Sequence, residues 1–134
     1  ANVEIHEAVG DDNIFIFGLE TPEVDALYAH GYKPWEYYNN PVKIKETLDF
    51  IRTMTVGGMN FNFIVDYLLT QDNYMCLADF ESYVAAQEKV AETYQDKEKW
   101  GQMSLVNTAN AGIFSADRSV AEYAKDIWNI KKVK

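Results

Sequence analysis

The chain has 134 residues, 48% of them hydrophobic, so it is about the size of one ordinary domain and can build a core. Its formal net charge of −9 and pI near 4.6 argue against nucleic acids and anionic membranes as partners, because both are polyanions. A single cysteine, no Asn-x-Ser/Thr acceptor and no membrane-length apolar run favour a cytoplasmic protein.

The first predicted elements are a short helix and a strand. Apolar residues at helical spacing predict a helix over residues 3–9, which Gly10 should end. The run NIFIFG, residues 13–18, is too short and too continuously apolar for a helix, so it is predicted to be a buried strand. As the only convincing strand, it must pair with a second copy or with a missing part of the protein. The chain enters this pattern at Ala1 without an initiator methionine, which suggests a segment cut from something longer.

Two helices are expected in the next stretch. Thr21 before Pro22 predicts the start of one helix, and Gly31 its end, so residues 22–30 should be helical. Asn40 before Pro41 repeats this start for the following helix. The apolar face of that helix should consist of Ile44, Leu48, Phe50 and Ile51.

Four helices fill the remainder. One should begin at Asn60 or Asn62, and the clearest covers residues 79–94 with Asp79 as its cap. Another should run from Asp96 to about residue 112, and the last from Ser115 to about residue 128. The predicted fold is therefore mainly α, with about six to seven helices and one short strand. Residues 1–134 show no internal domain boundary.

Few residues suggest chemistry, and each has a plainer interpretation. His6 and Glu7 near Asp11 and Asp12 match neither a zinc nor a calcium motif, so a solvated acidic turn is favoured over a metal site. The Gly57-Gly58 pair lacks the spacing of a phosphate-binding loop and is interpreted as a helix end and hinge.

Three further features could bind or react. Cys76 stands among apolar residues and is expected to be a buried, inert thiol. Arg118 could bind an anion, but pairing with a nearby carboxylate or carbonyl is favoured, with Ser115 or Asp117 as a helix cap. The aromatic residues Trp35, Tyr37 and Tyr38 could stack on a sugar, but packing is the favoured role.

Taken in order, five segments of the chain resemble the C-terminal end of the glycogen, starch and maltodextrin phosphorylase family. They are ANVEI, NIFIFG, GYKPWEYY, YMCLADFESYVAAQEKV and WGQMSLVNTANAGIFSADRSVAEYAKDIW, the last with SADRSV where the family usually has SSDRTI. The resemblance implies the C-terminal part of an α/β nucleotide-binding-like domain of the glycosyltransferase B type, with NIFIFG at an edge of its sheet. It also implies a cytoplasmic transferase of carbohydrate metabolism that cleaves α-1,4-glucan ends with inorganic phosphate, releases glucose 1-phosphate and uses pyridoxal phosphate.

The resemblance assigns no functional residue to this chain. The family's cofactor lysine lies in a motif ending Asn-Met-Lys, and none of the helical or capping lysines here has that setting: Lys33, Lys43, Lys45, Lys89, Lys97, Lys99 and Lys125. We therefore expect no catalytic, cofactor-binding or metal residue, and a chain that is inactive alone. Apolar helix faces left bare should drive a homodimer or a swapped oligomer. The alternative is a free-standing helical protein-interaction module.

Overall fold

The computed structural model describes residues 2–39 and 42–130, except for the side chain of Val42. Its helices are α1 (Asn2–Val9), α2 (Thr21–His30), α3 (Val42–Thr53), α4 (Asn62–Thr70), α5 (Cys76–Gln95), α6 (Lys97–Asn110) and α7 (Ala116–Glu122). Short 3-10 turns cover Asp11–Asn13, Pro34–Tyr37 and Ala111–Phe114, and a π-helical turn over Tyr123–Ile127 follows α7. Strands β1 (Thr55–Val56) and β2 (Met59–Asn60) form one hairpin. The prediction of a mainly α chain is confirmed.

The described residues fall into two compact units. One unit comprises Ile16–Lys89, and the other combines the residues up to Phe15 with those from Val90 onward. The division after Lys89 lies inside α5. That residues 1–134 form a single domain stays a prediction.

The core of the Ile16–Lys89 unit is a small aliphatic cluster. Ile44 and Leu48 of α3 lie one turn apart and pack with Val65 of α4 and Leu77 of α5, all at most 4% exposed. Burying each such side chain stabilises the unit by about 1.5–3 kcal/mol. Placing Phe50 on this face was wrong, because two residues at roughly 100° each put it opposite Leu48, and it is 64% exposed.

The Gly57-Gly58 pair forms the turn of the hairpin, so its interpretation as a helix end and hinge was wrong. Thr55 pairs with Asn60 and Val56 with Met59, which leaves the two glycines as the whole loop. Both have positive φ, 60° and 80°, as a two-residue turn between twisted antiparallel strands requires.

The start of α2 differs slightly from the prediction, while its end does not. Glu20, not Thr21, is the N-cap, and its backbone N–H donates to the Glu23 carboxylate at 2.8 Å in a capping box. Gly31 closes the helix in the left-handed conformation, as predicted. The predicted Asn40-Pro41 start lies outside the described residues.

In the second unit, α1 and α6 surround a smaller core. Val9 and Met103 are its buried side chains, each 8% exposed. Asp96 caps α6 as predicted, accepting the Lys99 backbone N–H at 3.0 Å. Tyr94 meets Trp100 edge to face, with ring centroids 5.0 Å apart.

The prediction of a buried strand at residues 13–18 was wrong. Asn13 belongs to a 3-10 turn, and residues 14–17 pair with no strand in the described ranges, although Ile14 has extended backbone angles. An extended segment becomes a strand only when another supplies ladder hydrogen bonds. Ile16 and Phe17 are about half exposed, at 55% and 48%.

Candidate functional site

Asp72 is a fully buried carboxylate just before α5, with 0% of its surface exposed. One oxygen accepts the Cys76 backbone N–H at 2.9 Å, and the other accepts the Leu77 N–H at 2.9 Å and the Tyr32 hydroxyl at 2.7 Å. The first N–H groups of a helix have no partner inside it, and the helix dipole favours a negative charge there. Asp72 therefore ties the start of the longest helix to the segment after α2. The spacing of residues in the sequence does not indicate this role, since a buried charge depends on partners that are distant in sequence.

Two ionisable neighbours respond to this environment. Burial, together with the hydrogen bond to Asp72, raises the pKa of Tyr32 far above its ordinary value. Partial desolvation and the nearby Asp72 charge also raise the pKa of the Cys76 thiol. Cys76 is nevertheless exposed, so the prediction of a buried thiol was wrong. Because only the thiolate is a good nucleophile, a raised pKa argues against a reactive cysteine.

Residues 72–75 form a segment with a strained backbone and one exposed aromatic side chain. Asp72 and Met75 have positive φ, 35° and 54°, which costs about 1–3 kcal/mol each for residues other than glycine. The buried Met75 side chain and the Tyr28 hydroxyl, which donates to the Asn73 carbonyl at 3.0 Å, hold the segment in place. Tyr74 between them is 83% exposed.

Asp79 was predicted to cap a helix, but its carboxylate bonds to the segment before α2. It lies inside α5 instead of capping it, because the helix begins at Cys76. Its carboxylate accepts the Leu19 N–H at 2.9 Å, and Ser82 one turn later accepts the Gly18 N–H at 3.0 Å. Side chains of α5 thus provide the acceptors that a neighbouring strand would have supplied.

The three candidate sugar-stacking aromatics have different environments. Tyr37 and Tyr38 are partly buried against the aliphatic core, which confirms the packing role for these two. Trp35 is 59% exposed, so the packing role does not extend to it. All three belong to the short segment that begins with the 3-10 turn Pro34–Tyr37.

Tyr38, Asp49 and Lys45 form a surface network. The Asp49 carboxylate accepts from the Tyr38 hydroxyl and the Lys45 ammonium, and the ammonium also lies 5.0 Å from the Tyr38 ring centroid. The bond from Lys45, then that from Tyr38, lowers the pKa of Asp49, while the same contacts raise the pKa of Lys45. The Lys45–Asp49 pair orients Tyr38, and because Asp49 is bonded to both neighbours it is not available as a general base.

Two side chains of the acidic N-terminal stretch contact each other. The His6 imidazole lies against the Asp11 carboxylate, and Asp12 and Glu7 are exposed nearby in sequence. No group of three or more His, Cys, Asp or Glu side chains could hold a metal ion in the described ranges.

Arg118 uses its guanidinium within its own helix and turn, as predicted. It donates to the Ile113 carbonyl and pairs with Glu122 at 2.9 Å. An open cavity of about 690 Å³ beside it is lined by Glu4, Glu7 and apolar residues. An anion there would compete with the Glu122 carboxylate for Arg118 and lie next to two further carboxylates.

A second cavity, of about 530 Å³, is acidic. Asp12, Asp96 and Glu98 line it with a single cation, Lys99. The surplus of negative charge opposes phosphate, because like charges repel. The lining gives this cavity no resemblance to a phosphate-binding site.

Apolar side chains are exposed along the C-terminal helical segment, which we call the C-terminal apolar stripe. Its members are Val120, Tyr123, Ile127, Trp128 and Ile130, all 49–68% exposed. Val120, Tyr123 and Ile127 recur every three or four residues and so share one helix face. Among the described residues as a whole, seven hydrophobic side chains are buried and twenty-two large ones are exposed. Large apolar side chains exposed at helical spacing are typical of surfaces that bind a partner.

Comparison with known proteins gives this surface a context. The family model described as carbohydrate phosphorylase matches residues 1–130. The chain belongs to the carbohydrate phosphorylase family. The resemblance inferred from the five segments is confirmed. No helix in the described part of the chain is long and apolar enough to cross a membrane.

Relatives from distant organisms match nearly all of the chain. Glycogen phosphorylase of Synechocystis sp. is 48% identical over 136 residues, which cover 99% of this chain and 16% of that protein. The Bacillus subtilis glycogen phosphorylase is 43% identical over 98% of this chain and 17% of its own length. The human muscle form is 37% identical over 98% of this chain and 16% of its own length. The chain thus spans about one sixth of the length of these curated relatives.

Proposed function

We propose that this chain is a structural, catalytically inactive part of an α-1,4-glucan phosphorylase. The parent enzyme would cleave the ends of glycogen or maltodextrin with inorganic phosphate, release glucose 1-phosphate and work in the cytoplasm. The observation that carries this proposal is the similarity to glycogen phosphorylases over nearly the whole chain, which nevertheless equals only about one sixth of their length.

The polar groups support a structural role. Asp72, Asp79 and Asp96 each accept backbone N–H groups, and Arg118 is engaged by a carbonyl and a carboxylate. Such bonds fix helix ends and loops, whereas a catalytic base or nucleophile must be within reach of a substrate atom. The polar residues with well-defined geometry therefore serve the local fold.

The family's pyridoxal phosphate does not fit the residues described here. A lysine that binds it must be held in a protected site with a cradle for the phosphate group. All seven described lysines are exposed, and those with ion pairs in the structure include Lys33 with Glu36, Lys43 with Glu88 and Lys45 with Asp49. We propose that other residues of the parent enzyme hold the cofactor.

Activity measurements test the proposal directly. Purified chain is incubated with maltodextrin and inorganic phosphate, and glucose 1-phosphate is measured with a coupled assay. The full-length Synechocystis relative serves as the positive control. We expect no product above background and no absorbance band of enzyme-bound pyridoxal. Either signal from this chain would overturn the assignment of a purely structural role.

The exposed apolar side chains support a second element of the proposal, association of two copies as a homodimer or swapped oligomer. The C-terminal apolar stripe would bury its side chains against the same stripe of another copy, as isologous interfaces do. A charge introduced in the middle of the stripe should then favour the monomer. Ile127, which is 68% exposed, is the suitable position.

Light scattering coupled to size exclusion measures this association. Ile127→Glu should shift the chain toward the monomer. Phe63→Glu, at an equally exposed position in α4, should leave the molar mass of the assembly the same as that of the wild type. A wild-type chain that stays monomeric at high concentration would refute the dimer. That result, with no loss of solubility, would instead favour the free-standing interaction module.

A further inference from the structure

We draw no further inference here: the strongest candidate, an open cavity of about 390 Å³ lined by α2, the 3-10 turn Pro34–Tyr37 and the start of α5, carries nothing, because its ionisable lining residues Glu23 and His30 already bond to backbone groups of Glu20 and Ala26 and nothing in the structure shows what occupies it.

Discussion

Replacing Asp72 with alanine should destabilise the chain more than any other single cap removal in the described residues. Losing a side-chain acceptor for the first N–H of a helix, here that of Cys76, costs about 1 kcal/mol. The Leu77 N–H and Tyr32 hydroxyl would also lose their acceptor in a site that is 0% exposed, which costs about 1–3 kcal/mol. Alanine at a φ of 35° adds about 1 kcal/mol of backbone strain. The expected total of about 3–5 kcal/mol is a large share of a typical domain's stability, about 5–15 kcal/mol.

Two further variants separate these contributions. Asp72→Asn keeps one oxygen acceptor and tolerates the left-handed backbone, so we expect a loss of about 1–2 kcal/mol from the missing charge at the helix N-terminus. Asp96→Ala removes an exposed cap that accepts a single N–H, from Lys99 at 3.0 Å, and should cost about 1 kcal/mol.

Urea unfolding followed by circular dichroism measures all three free energies of unfolding. The slope with urea should stay constant among variants, so that midpoint shifts report stability. The reasoning about buried donors fails if Asp72→Ala costs no more than Asp96→Ala.

The other predictions concern two glycine substitutions and the stability of the chain at alkaline pH. A Cβ at Gly18 would lie 2.8 Å from an Asp79 carboxylate oxygen at a φ of 94°, so Gly18→Ala should destabilise by about 1–3 kcal/mol. Gly101→Ala, inside α6 with open space around it, should stabilise by about 0.5–1 kcal/mol. Thermal melts in which both variants shift in the same direction would contradict one of these two predictions. Because the folded-state pKa of Tyr32 is raised, its contribution is complete below the unfolded value of about 10 and is lost as the pH rises further. Unfolding titrations should therefore show the wild type losing stability relative to Tyr32→Phe only above about pH 10.

Short-range chemistry explains which elements were predictable. Gly31 ends α2 because glycine readily adopts the left-handed conformation that closes a helix. Asp96 starts α6 because its side chain accepts a backbone N–H in the first turn. The apolar spacing of Ile44 and Leu48 likewise identified the buried face of α3. In each case the interacting groups lie within four residues, so the pattern carries the information.

The failures depended on distant residues. Residues 14–17 have strand-like composition, but strand formation requires a partner, and here Leu19 bonds instead to Asp79, sixty residues away. The role of Asp72 depends on Tyr32, forty residues earlier, and on the buried position of both groups. Neither separation leaves a periodic signal.

Trp35 differs in burial from Tyr37 and Tyr38, and composition could not predict this difference either. Three aromatic residues within four positions share one composition signal. A 3-10 turn places residues two apart on different faces, which separates Trp35 from Tyr37, and Tyr38 follows where the turn has ended; both tyrosines reach the core and the tryptophan does not. Assigning packing to all three from composition was therefore right for the tyrosines alone.

Polar and apolar groups of this chain are satisfied to different degrees, which bears on its role. Every buried side-chain nitrogen or oxygen in the described residues has a hydrogen-bond partner. The apolar side chains, in contrast, are not all buried, since the C-terminal apolar stripe stays exposed. Hydrogen bonds of caps and turns can be completed locally, whereas most of the stability of helices in proteins comes from burying a face against something else. A chain in which every buried polar side chain that the structure describes is hydrogen-bonded, while large apolar side chains stay exposed, has the properties expected of a part that folds against a larger protein.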